Sequence, residues 1–157
     1  MIKKLLLVFG FSFLTLNVSY AEVLVLSCKE VDTTNEAQEW RFDLKKKIYT
    51  TVLGAEIAIA STEEGIYFHT YLTDTLVTTF HVSRLSGKAT MKMFDYNDEF
   101  KKKAQEKLPA EIDKLKSKYP KHTKDDLFIL AINNFTLDYI SSNSTSTMNC
   151  SKLTKKF

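Results

Sequence analysis

Glycine is scarce in this chain: there are four in 157 residues, and beyond Gly10 only Gly54, Gly65 and Gly87, each isolated from the others. No glycine-rich loop is therefore available to cradle a phosphate, and no Gly-x-Ser-x-Gly turn presents a nucleophilic serine. Proline occurs twice, at Pro109 and Pro120, and histidine three times, at His69, His81 and His122. No His/Cys cluster has zinc-ligand spacing, so the sequence assigns no metal and no cofactor. A Ser-His-Asp set would assemble only in three dimensions and has no local signature here. An excess of one charge is lacking too. The formal net charge is +3, and Lys3 and Lys4 supply two of those charges. The rest of the chain is close to neutral, which gives no electrostatic case for a nucleic-acid partner.

What is present begins with a leader. Lys3 and Lys4 precede an apolar run from Leu5 to Leu16, and Ser19 and Ala21 are small residues at the positions a signal peptidase reads. Residues 1–21 are read as a cleaved secretory signal peptide, which makes the protein periplasmic or secreted. The apolar run is shorter than the roughly 20 residues that span a bilayer, so no transmembrane segment is expected in the mature chain. A competing reading treats Val25-Leu26-Ser27-Cys28 as a lipobox that lipidates Cys28, although Leu26 stands where smaller residues are usual. Residues 22–157 are the length of one domain. The two cysteines, in an oxidising compartment, are expected to form a Cys28–Cys150 disulfide; a reactive or lipidated Cys28 would leave Cys150 alone.

The period of the next stretch is two. Val23 to Cys28 is an apolar strand, and residues 31–38 form a polar loop. Glu39 to Leu44 alternates strictly, placing Trp40, Phe42 and Leu44 on one face and Glu39, Arg41 and Asp43 on the other. Lys45 to Lys47 form a turn into Ile48 to Leu53, and Gly54 marks a break before Ala55 to Ala60. Gly65 to Tyr71 and Leu76 to Arg84 form a hairpin; pairing Thr70 with Leu76 gathers Ile66, Phe68, Leu76, Phe80 and Val82 on one face. Leu85 to Lys88 turns the chain into a strand containing Ala89, Met91 and Met93.

The early Cys28 strand, the Phe42-Asp43-Leu44 strand end before lysines and the Arg84-Leu85-Ser86-Gly87 turn resemble small secreted bacterial β-proteins that carry an Arg-x-Ser/Thr-Gly turn and a closing Cys strand. The resemblance covers Leu24 to Met93 and Met148 to Leu153, and it implies no activity. Periplasmic lysozyme inhibitors are similar in outline, but Ser86-Gly87-Lys88-Ala89-Thr90 stands in place of their Ser-Gly-x-x-Tyr loop.

From Asn97 the period becomes helical. Phe100, Ala104, Leu108, Ile112, Leu115 and Tyr119 share a stripe, with Asp98 as N-cap and a kink or break expected at Pro109. Thr123 to Asp126 fits a capping box ahead of a second helix whose stripe is Phe128, Ala131, Ile132 and Phe135. Asp125 and Asp126 are read as helix-start acids rather than a catalytic pair. Ser141 to Thr147 is a loop, and Met148 to Leu153 returns as the strand bearing Cys150.

The expected fold is α+β: an antiparallel β-meander or partly open barrel of about seven to eight strands over residues 22–96, a two-helix insertion over 97–140, and a closing strand at 148–153. Candidate binding residues are Tyr67, His69, Tyr71 and His81 on the face opposite Ile66 and Phe68, and Arg84 in the following turn. Rings with polar tips suit recognition of a protein or a glycan. Alternatively, the helices cross this face and make it a second core. With the register above, His69 and His81 lie roughly 13 Å apart, too far to share a metal. The leading functional expectation is a non-catalytic binding or inhibitor-like module acting on an envelope protein or glycan. The alternatives are a small hydrolase or a self-associating envelope protein.

Overall fold

Alternation at Trp40 and Phe42 separates the two faces of the sheet: both side chains are buried while Glu39 and Arg41 are exposed. The computed structural model describes residues 23–152; the expected signal peptide and Glu22 lie outside them. The strands are β1 (Val23–Glu30), β2 (Gln38–Asp43), β3 (Ile48–Thr50), β4 (Glu56–Ala58), β5 (Ala60–Ser61), β6 (Gly65–Thr73), β7 (Leu76–Ser83), β8 (Lys88–Asp95) and β9 (Ser144–Lys152). Two helices, α1 (Asp98–Lys118) and α2 (Lys124–Asp138), stand between β8 and β9. All nine strands form one antiparallel sheet in the order β4-β3-β2-β1-β9-β8-β7-β6-β5.

The two edge strands, β4 and β5, are consecutive in the chain and separated only by Ile59, so the backbone itself links the sheet edges into a nearly closed barrel. Ile59 is buried, and its N–H donates to Lys47 O at 3.0 Å. This arrangement manages the unpaired groups that an open edge would expose. The sheet has nine strands where the sequence suggested seven or eight, because Ala55 to Ala60 splits at Ile59, and β9 is longer than expected because the residues from Ser144 join it. Ser144 to Thr147, expected as loop, pair with Thr90 to Met93 of β8.

Inward-facing residues fill the barrel: Leu26, Cys28, Trp40, Phe42, Ile66, Phe68, Val82, Ala89 and Met148 form one buried cluster. Phe68 stacks on Phe80 with ring centroids 4.4 Å apart, and Trp40 meets both edge-on. Burial of each such ring contributes about 1.5–3 kcal/mol. Cys28 and Cys150 face each other directly across β1 and β9 and are joined by a disulfide, with Cα atoms 4.0 Å apart.

The β6–β7 register differs from the sequence expectation. Thr70 pairs with Thr78, not Leu76, and a bulge at Leu72 precedes the tight Asp74-Thr75 turn. The shift is two residues. An even shift leaves every side chain on its expected face but changes its partner.

Asn97, not Asp98, caps α1, accepting from Phe100 N–H at 2.8 Å. The helix runs unbroken through Pro109, which lies on its exposed side. The Thr123/Asp126 capping box is present on α2, and the same Asp126 carboxylate receives Lys47 Nζ from the β2–β3 turn at 2.5 Å. Burial alone raises this carboxyl, but hydrogen bonds from Lys47 and Thr123 outweigh it and hold Asp126 below the usual carboxylate range. Helix α2 is buried on most sides because it lies between the sheet and α1. Phe128, expected in its core stripe, is instead 41% exposed. No helix among the described residues is long and apolar enough to cross a membrane.

Candidate functional site

The outward residues of β6 and β7 are where the sequence placed its candidate site, and the observed register rearranges them. Tyr67 pairs with His81, and His69 pairs with Thr79. His69 and His81 are thus diagonal neighbours, a spacing of about 7–8 Å between Cα atoms rather than the roughly 13 Å expected. Tyr67 and His81 stack face to face, with centroids 4.6 Å apart and planes 6° apart. Helices cover this end: Tyr67 packs with Leu115 and Leu130. His81 also lies over Gly65, where a Cβ would stand 2.7 Å from its Nε2 and 2.7 Å from Val82 O.

His69 occupies the middle of the row, its ring edge-on to Tyr71 at 5.8 Å and to Phe128 of α2 at 6.0 Å. His69 Nδ1 and His81 Nε2 are buried without a hydrogen-bond partner. Burial pushes both imidazoles below their ordinary value, with Glu64 partly opposing this at His81. Both are therefore neutral at pH 7. Burial likewise raises Tyr67, and burial followed by the nearby Tyr96 hydroxyl raises Tyr71.

Tyr71 ends the row in the open. Its side is 50% exposed, and it forms one wall of a cleft of about 450 Å³. Tyr96, Phe100 and Lys101 supply the entry to α1 as a second wall; Leu108, Pro109 and Ile112 continue it, and Phe128 and Ile132 of α2 close the third. Tyr71 and Tyr96 meet edge-on at 5.1 Å, Tyr96 and Phe100 at 5.4 Å, and Lys101 Nζ sits 5.0 Å from the Tyr96 ring. The lining is mainly apolar, with Lys101, Gln105 and the Tyr71 and Tyr96 hydroxyls as its polar groups. The volume lies within the roughly 300–1,000 Å³ usual for ligand pockets.

The five sequence candidates thus divide. Tyr67 and His81 form a half-buried stacked pair, Tyr71 lines the cleft with His69 touching its walls at Tyr71 and Phe128, and Arg84 lies elsewhere, at one mouth of the barrel, donating from Nη2 to Ser61 Oγ at 2.7 Å. Sequence reasoning missed Tyr96, Lys101 and Phe128. Their signal was faint: Tyr96 falls in the β8–α1 link, and Phe128 matches the helical stripe that the fold leaves half open.

Among the described residues no three of His, Cys, Asp and Glu converge in a metal-holding group. His122 Nε2 lies 3.0 Å from Ser61 O rather than on a carboxylate. No family profile, no curated protein and no solved structure matches the chain.

Proposed function

We propose that this is a non-catalytic binding module of an extracytoplasmic compartment, inhibitor-like in operation, whose site is the aromatic cleft at Tyr71, Tyr96 and Phe128. The carrying observation is that Tyr71 and Phe128 stay half exposed around a 450 Å³ apolar cleft instead of completing the core beneath them. The leader-like N-terminus of the sequence and the Cys28–Cys150 disulfide support the compartment. A sugar needs many hydrogen-bonding partners, whereas most of this cleft's lining is apolar, which favours an envelope protein over a glycan. The partner presents an aromatic or leucine side chain for insertion and an acidic group beside it for Lys101.

Panning a displayed peptide library against the full protein tests this reading. Selected peptides should share an apolar anchor beside an acid and shift the methyl resonances of Ile112 and Ile132. Tyr71→Ser and Phe128→Ser, both at half-exposed positions, should each weaken binding at least tenfold, the effect of losing a buried aromatic anchor pocket. Peptides that bind both variants as tightly as the parent protein, or no selection above background, would sink the proposal.

A further inference from the structure

The barrel has two mouths of opposite charge, and one of them is shaped for a specific ligand chemistry. Inward parity along β1 and β9 carries Leu24, Leu26 and Cys28 towards the lumen on one strand and Met148, Cys150 and Lys152 on the other. At one end the lumen opens between Leu24, Leu44, Ile66, Val82, Arg84 and Lys152 as a cavity of about 310 Å³. Its walls are aliphatic, its lining includes Cys150 of the disulfide, and its only charged lining groups are the two cations. The opposite mouth is lined by Glu30 and Glu36 with no cation among its lining residues.

Neither cation is paired with an acid among the described residues. Arg84 donates to Ser61 Oγ, using one of five guanidinium N–H donors, and forms no ion pair with a described residue; nor does Lys152. The cavity thus joins an apolar wall to two cations that have no acidic partner among the described residues, the complement of an amphiphile with an anionic head. We propose that this mouth binds a single-chain fatty acid, its carboxylate between Arg84 and Lys152 and its alkyl chain inside the barrel. The guanidinium fork suits a carboxylate through paired hydrogen bonds. From Lys152 to Cys150 the lumen is about 7 Å deep at the strand rise of roughly 3.4 Å per residue, which takes a short chain and not a two-chain lipid. This site is separate from the aromatic cleft and stands without it.

The test is a titration of the full protein with octanoate, octanol and octyltrimethylammonium, read by calorimetry and by the methyl resonances of Leu24, Leu44, Ile66 and Val82. Octanoate should bind and move these methyls, octanol should bind more weakly, and the cationic amphiphile should not bind. Across butanoate, hexanoate, octanoate and dodecanoate, affinity should rise roughly fourfold for each buried methylene and then level off once the lumen is full. Arg84→Gln and Lys152→Gln, both at exposed sites, should each weaken octanoate about tenfold while leaving octanol unchanged. Equal binding of the cationic amphiphile, octanoate affinity indifferent to both substitutions, or shifts confined to Ile112 and Ile132 in the cleft would overturn the proposal. The wild-type ligand series decides the matter even if a variant folds poorly.

Discussion

Replacing both Cys28 and Cys150 with alanine removes the one covalent link between the chain's first and last described strands. The bridge closes 122 residues of sequence. Loop-closure entropy for that length, about 2.1 plus 1.5R ln n in cal/mol/K, comes to roughly 16 cal/mol/K, or about 5 kcal/mol at 25 °C. The native state loses little in exchange, since the β1–β9 ladder from Leu26 to Glu30 and the β8–β9 ladder remain hydrogen-bonded without the sulfurs. Against a total stability of about 5–15 kcal/mol for a domain, the loss is a third or more. Urea unfolding at 25 °C, compared between the wild type and the double alanine variant, should show that drop, with a melting point lower by about 15–20 °C. The m-value should rise, because the unlinked denatured chain exposes more surface. A loss below about 1 kcal/mol with an unchanged m-value would refute the reasoning: the denatured chain would then be as compact without the bridge as with it.

Two further perturbations act at the covered end of the β6–β7 face. Because burial holds His69 and His81 below their ordinary value, the unfolded chain binds protons more readily; stability is complete above about pH 6.5 and falls as pH drops from there towards the folded values. The lowered carboxylates Glu64, Glu99 and Asp126 lose their contribution only below their ordinary range, so urea midpoints between pH 7.5 and pH 5.0 isolate the imidazoles. His69→Gln with His81→Gln should flatten that dependence, and an unaltered slope would show the imidazoles to be uninvolved. Gly65→Ala should cost about 1–3 kcal/mol, since its Cβ would meet Val82 O in the backbone ladder as well as the His81 ring. Gly54→Ala, with open space but a φ of +81°, should cost about 1 kcal/mol from backbone strain alone. The reverse order in urea melts would contradict the packing described at His81.

What the sequence disclosed was local. The Glu39–Leu44 alternation put Trp40 and Phe42 in the core because a half-buried strand repeats every two residues, and Thr123 with Asp126 marked a helix start through contacts three residues apart. What it hid was settled between distant elements. Pro109 argued for a kink or a break, and there is no break: α1 is one continuous helix through it, with the proline exposed and Phe100 and Leu115 buried. The bulge at Leu72 has no glycine or proline to announce it, so the hairpin register was two residues out. Ser144 to Thr147 contains no apolar residue and reads as loop, yet β8 supplies the hydrogen bonds that make it strand.

The candidate site shows the same division within three alternate residues of one strand. Sequence offered two accounts of the Tyr67, His69, Tyr71 row, either a recognition surface or a second core, and periodicity could not choose because both accounts place the same side chains on the same face. The helices choose by where they lie. At Tyr67 the half-buried ring packs against the cluster that holds Leu115 of α1 and Leu130 of α2, with His81 stacked on its face. Four residues on, Tyr71 is half exposed and faces Tyr96 across the edge of a cleft. His69 lies between, touching the half-exposed Phe128 and Tyr71 while its Nδ1 has no partner. The row is thus half-buried under the helices at one end and exposed beside a cleft at the other. A group that is buried, neutral and unsatisfied at the boundary costs the fold stability, on the order of 1–3 kcal/mol for one unmet hydrogen bond. That cost falls on the one residue of the row that touches both the half-exposed Phe128 and the exposed Tyr71.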